Sequence, residues 1–125
     1  MGLSVGVDVV NIARIRALSE GVKRKIFHPE ELSYAATLTE DVASEYLAGR
    51  FAAKEALGKA LGCGLARLVP STLLVGRGLD GRPLFVLTGQ AEALVGRSKL
   101  ALSISHDEPV AVAVVVVSGG FDGPQ

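Results

Sequence analysis

The sequence predicts an α+β fold in one small domain, and three observations predict it. A strand opens the chain, helical segments follow, and the second half is a run of short strands with one further helix. One segment, residues 39–61, carries start and stop signals over a helical length. The strands after Pro70 are separated by turn residues, as expected when helices are segregated from an antiparallel sheet. With 125 residues the chain fits one domain with one core. Aromatic residues are scarce and Trp is absent, so that core is aliphatic. A small aliphatic domain is marginal alone, and oligomerisation is expected on size grounds. Residues 1–118 are assigned to the domain and 119–125 to a polar, Gly-rich, flexible tail.

Residues 4–10 are short and β-branched, and are expected to form a buried strand. Asn11 is placed to cap a helix from Ile12 that carries Arg14, Ile15 and Leu18, and Gly21 marks a break. Pro29, Glu30 and Glu31 are a helix-start signal, with acids next to the positive end of the dipole. Thr39 opens the long helix, Glu40 and Asp41 lie in its first turn, and Gly62 and Gly64 close it. Residues 72–75 and 83–87 are predicted strands about an Asp80-Gly81 turn. Residues 90–95 form a short helix, and 100–105 and 110–117 two more strands with 106–109 as the turn.

Cys63 is the single cysteine, so no intrachain disulfide framework exists. The N-terminus lacks a basic region followed by a long apolar stretch, and the apolar run 110–117 is too short for a bilayer. These features predict a soluble, cytoplasmic protein with no membrane role. The formal net charge is zero, yet Arg14, Arg16, Lys23, Arg24 and Lys25 cluster against the single acid Glu20. The cluster is either a solvated helix face or a dock for an acidic partner. Nucleic acid is not expected, because almost no aromatic residues interleave the cluster.

The segment 50–61 is apolar nearly all round, as in a buried helix, yet carries four charges. Glu55 shares its face with Phe51, Ala52 and Ala48, and needs a cation or donors to stay ionised. Lys59, one turn on, is one such partner. Arg50 and Lys54 are like charges at i,i+4 with no acid three or four residues away, which points to an external anion such as phosphate. Asp8 interrupts an apolar strand. It is either salt-bridged, to Arg14 or to a lysine of the long helix, or set beside Glu55 as a two-carboxylate Mg²⁺ site. In Leu102-Ser103-Ile104-Ser105-His106, alternation puts the serines on one face. His106 ends the strand, either as a surface residue or, with the hydroxyls, around a phosphate oxygen.

These pieces resemble the holo-acyl-carrier-protein synthases, the small 4′-phosphopantetheinyl transferases. The resemblance runs through Gly6-Val7-Asp8-Val9-Val10-Asn11-Ile12-Ala13-Arg14-Ile15. It continues through Arg50-Phe51-Ala52-Ala53-Lys54-Glu55-Ala56-Leu57-Gly58-Lys59-Ala60-Leu61-Gly62-Cys63-Gly64, then Ser103-Ile104-Ser105-His106. The central motif is highly specific, the first moderately so, and the last is weak alone. The resemblance implies a long buried helix packed on an antiparallel β-sheet. It also implies Mg²⁺-dependent transfer of phosphopantetheine from coenzyme A to a serine of apo-acyl carrier protein, serving fatty acid biosynthesis. Asp8 and Glu55 match the metal-binding acids, and Glu55 and Lys59 the catalytic positions. Arg50, Lys54, Lys59, Gly62, Gly64, Ser105 and His106 match positions around coenzyme A. Arg14, Lys23 and Arg24 match the carrier-binding surface. The family is typically a homotrimer with active sites between subunits. Cys63 stands where Thr is usual, which removes a hydroxyl. Two rival readings are a non-catalytic coenzyme A or nucleotide-binding module, and a structural oligomer with Asp8, Glu55 and Lys59 as buried ion pairs.

Overall fold

The computed structural model describes residues 2–119. The chain runs β1 (Leu3–Asn11), α1 (Ile12–Arg16), α2 (Glu20–Ile26), α3 (Pro29–Ala35), α4 (Glu40–Leu61) and α5 (Leu65–Leu68). A single 3-10 turn (Pro70–Thr72) leads to β2 (Leu74–Arg77), β3 (Pro83–Val86), α6 (Gly89–Val95), β4 (Lys99–Asp107) and β5 (Val110–Ser118). Two antiparallel sheets form, one ordered β1-β5-β4 and the other the hairpin β2-β3. The tail predicted at 119–125 lies, Gly119 apart, outside the described residues.

Helix α4 forms as its end signals dictate. The Thr39 hydroxyl accepts from the Val42 amide, and Gly62 closes the helix in the left-handed conformation at φ 73°. Its middle is buried on nearly every side, from Leu47 to Gly58 and again at Ala60, with Glu55 less covered. The helix packs on one face of the three-stranded sheet. Two close approaches seat it there. A Cβ at Gly6 would lie 1.9 Å from the Ala56 carbonyl oxygen, and one at Gly49 would lie 2.9 Å from the Ile104 side chain. The Ser4 hydroxyl donates to the Ala60 carbonyl at 2.6 Å, pinning β1 lengthwise along α4.

Strand β1 is not buried on both faces. Ser4, Gly6, Asp8 and Val10 face α4, whereas Leu3, Val5, Val7 and Val9 point outward and are exposed. Alternation along the pleat produces this, because α4 covers only one side of the sheet. Asn11 caps α1 through the Ala13 amide as predicted. Ile12 and Ile15 are fully buried, a burial that contributes roughly 1.5–3 kcal/mol per side chain. Leu18 falls beyond α1. The chain breaks at residues 17–19 rather than at Gly21, because Ser19 caps α2 through the Val22 amide and Gly21 sits inside it. Thr72 belongs to the 3-10 turn, not to a strand. His106 and Asp107 extend β4, since the hairpin turn is only Glu108-Pro109. No helix among the described residues is long and apolar enough to cross a membrane.

Candidate functional site

The inward face of β1 aims Asp8 at α4. Because Gly6 lets the strand touch the helix, Asp8 reaches the side chains of the last two turns. Lys59 Nζ donates to Asp8 Oδ1 at 3.0 Å and to the Val7 carbonyl at 3.1 Å. Asp8 is mostly covered, whereas Lys59 is exposed. The lysine therefore pairs with Asp8 and not with Glu55. Glu55 makes no hydrogen bond or ion pair among the described residues. Burial pushes its carboxyl above the usual range, the Asp8 charge pushes the same way, and Lys59 and Arg14 pull it down. Arg14 itself lies over the Phe51 ring, 5.7 Å from its centroid.

Two carboxylates that repel one another, one without a partner, make an all-oxygen donor set. Such a set suits Mg²⁺, which is held by one or two carboxylates with its other positions left to water and phosphate. No cluster of three or more His, Cys, Asp or Glu able to hold a metal occurs among the described residues.

A second cluster forms on another side of α4. The Arg50 guanidinium stacks on Tyr46, 4.2 Å from the ring centroid, and its buried Nε has no hydrogen-bond partner among the described residues. Arg50, Arg77, Gly81, Pro83, Ile104 and His106 line a cavity of about 210 Å³. Burial draws the Arg50 guanidinium below its usual range, with Tyr46 opposing and the neighbouring Arg77 charge adding to the fall. Two guanidiniums sharing a cavity suit an anion, although Glu45 and Glu30 line the adjoining pockets. His106 Nδ1 lies 3.7 Å from Glu45 Oε2 at the same rim. His106 is here because it shares the inward register of Leu102 and Ile104. Ser105 shares the opposite, outward register and takes no part in this cavity, so the Ser-x-Ser-His segment does not converge as predicted.

Lys54 is turned into the core and does not line the anion cavity. It is fully buried, and its Nζ donates to Glu31 Oε1 at 2.7 Å, the Pro70 carbonyl at 2.9 Å and the Ile26 carbonyl at 3.1 Å. An ammonium has three donors, and all three are used. Burial lowers its pKa while Glu31 holds it up. The partner acid predicted to be missing lies 23 positions away in sequence, on α3.

The family model of the 4′-phosphopantetheinyl transferase superfamily matches residues 4–114. The chain belongs to that superfamily. It is 40% identical to the holo-[acyl-carrier-protein] synthase of Treponema denticola, across 95% of this chain and all of that one. It is 42% identical to the enzyme of the same name from Chlorobium chlorochromatii, across 92% and 99%. The crystal structure of the Neisseria meningitidis synthase superposes with a TM-score of 0.81 at 31% identity, covering 93% of this chain and 98% of that one. A Bacillus anthracis synthase in complex with CoA (3′,5′-ADP) gives 0.79 at 30% identity, covering 91% and 94%.

Within this superfamily member the predicted Asp8/Glu55 and Arg50/His106 sites lie on different sides of α4. From Arg50 to Glu55 the helix turns by about 140°. Asp8 on β1 and His106 on β4 flank β5, offset by two residues in register and roughly 12 Å apart across the sheet. Gly62 and Gly64 frame the end of α4, and a Cβ at either would meet open space, so this backbone is approachable. Lys23 pairs with Glu20 at 3.7 Å, while Arg24 is exposed without a partner among the described residues. Arg16, in the same basic run, is engaged by Asp41 at 3.1 Å. The sequence reading missed Arg77.

Proposed function

We propose that the chain is a Mg²⁺-dependent holo-[acyl-carrier-protein] synthase acting in the cytoplasm as a homotrimer. It transfers 4′-phosphopantetheine from coenzyme A to a serine of apo-acyl carrier protein, in support of fatty acid biosynthesis, and releases adenosine 3′,5′-bisphosphate. The observation that carries this reading is the Asp8/Glu55 pair, two mutually repelling carboxylates with Lys59 beside them. Asp8 and Glu55 would hold Mg²⁺, which when bound supplies charge neutralisation at the diphosphate.

The carrier serine oxygen attacks the phosphorus that bears pantetheine. A new O–P bond forms, the bond to the bridging diphosphate oxygen breaks, and the nucleotide leaves with the electron pair. Lys59, exposed beside Asp8, neutralises the charge that builds on the leaving phosphate. Glu55 has a raised proton affinity and is the candidate acceptor for the serine proton. Arg50, Arg77 and His106 would hold a further phosphate of coenzyme A, contributed to each site by the neighbouring subunit. The outward row of Leu3, Val5, Val7, Val9 and Val114 supports a trimer. Leu3 is 70% exposed and Val9 60%, and so apolar a sheet face is usually an interface.

The test incubates the protein with coenzyme A, Mg²⁺ and apo-acyl carrier protein and reads the carrier by mass spectrometry. A gain of one phosphopantetheine, abolished by EDTA, is expected. An unchanged carrier across several apo carriers overturns the reading in favour of a non-catalytic coenzyme A-binding module.

A further inference from the structure

Lys54 lies on α4 between the two clusters and contacts neither. We propose that the buried Lys54–Glu31 pair is a positioning device for the transfer, fixing basic helix α2 and arginine-bearing strand β2 against the helix that carries Glu55. The assignment of binding roles to α2 and β2 rests on the transferase reading above.

The bonds of the pair join separate stretches of chain. The three donors of Lys54 hold the Ile26 carbonyl at the end of α2, the Glu31 carboxylate on α3 and the Pro70 carbonyl ahead of β2. Glu31 Oε1 also accepts from the His28 amide at 2.9 Å, and Oε2 accepts from the Val75 amide at 2.8 Å. Ile26 directly follows Lys23, Arg24 and Lys25. Val75 stands two residues before Arg77. One ion pair thus sets where the basic helix and the second arginine lie relative to Glu55, next to Lys54 in sequence.

Helix α2 has no buried side chain of its own. Its anchors are at its C-terminal end, where Phe27 is fully buried under the Lys54 ammonium and the Ile26 carbonyl is bonded to it. Apolar residues of similar volume replace a buried ion pair at little or no cost in stability. What they do not replace is direction, because hydrogen bonds to main-chain atoms set distance and rotation where packing sets only proximity.

The experiment compares wild type with Lys54→Met/Glu31→Leu and with Glu31→Gln, by amide hydrogen exchange and by steady-state kinetics in both substrates. The double variant is expected to melt near wild type and to keep most of kcat. Its α2, His28 and Val75 amides should exchange about tenfold faster or more. The KM values for carrier and coenzyme A should each rise about fivefold or more. Glu31→Gln keeps an oxygen for Lys54 and loses the acceptor for the Val75 amide. It should speed exchange at Val75 and raise KM for coenzyme A while leaving carrier KM unmoved. It also serves as the test should the double variant not fold. A folded double variant with wild-type exchange and wild-type KM values overturns the proposal, as does a Glu31→Gln variant that moves both KM values alike. If wild type transfers nothing, the transferase reading falls and the exchange data alone decide the positioning role.

Discussion

Lys54 and Glu55 are neighbours in sequence, both charged, on the same turn of the same helix. Lys54 is sealed, and each of its donors has a partner. Glu55 is half-covered, has no partner among the described residues, and faces another carboxylate. A charge whose partners are all supplied by the fold holds the fold together. A charge that the fold leaves in debt to a repelling neighbour awaits something from outside.

The largest effect that separates the two residues is expected at Lys54. Lys54→Met alone leaves the Glu31 carboxylate buried without its cation and should cost about 3–5 kcal/mol of stability, read by urea denaturation. Stability within about 1 kcal/mol of wild type would erase the distinction. Glu55→Gln should do the reverse, lowering kcat about a hundredfold with no loss of melting temperature. The sign follows from the raised carboxyl. Its ionisation opposes folding, so the stability it contributes is full below its unfolded pKa and is lost as pH rises through the raised folded value. Glutamine escapes that loss at neutral pH.

Arg77→Ala should raise KM for coenzyme A about tenfold with kcat little changed, sharpening the contrast between anion-binding and structural cations. The smallest effect is expected at the exposed Arg24. Charge reversal there should raise carrier KM about threefold, leave coenzyme A KM unchanged, and fade with added salt.

What the sequence disclosed follows this same division. Helix α4 was legible end to end because its signals are local: a threonine cap, acids in the first turn, a left-handed glycine at the exit. Asp8 and Glu55 were legible as oddities, since a lone acid on an apolar strand and another on an apolar helix are visible without coordinates. The partner of Lys54 was not, because Glu31 comes to it through a tertiary contact between α3 and α4, and its helix-start position explained it locally. Ser105 was misplaced because alternation orders residues along a strand but does not say which face the helix covers. The open valines of β1 were read as buried for the same reason. Arg77 escaped because a four-residue strand offers too little pattern to make a single cation stand out.

The separation of Asp8 and Glu55 from Arg50, Arg77 and His106 around α4 also bears on inheritance. If each working site borrows its arginines from a neighbour, a subunit damaged at Glu55 still lends a good anion cradle, and one damaged at Arg50 still offers a good acid pair. Two chains inactive as pure populations should then regain a fraction of activity when co-expressed, through those junctions where the intact halves meet. The catalytic unit would be a seam between chains, and a lesion would count by the seams that it spoils.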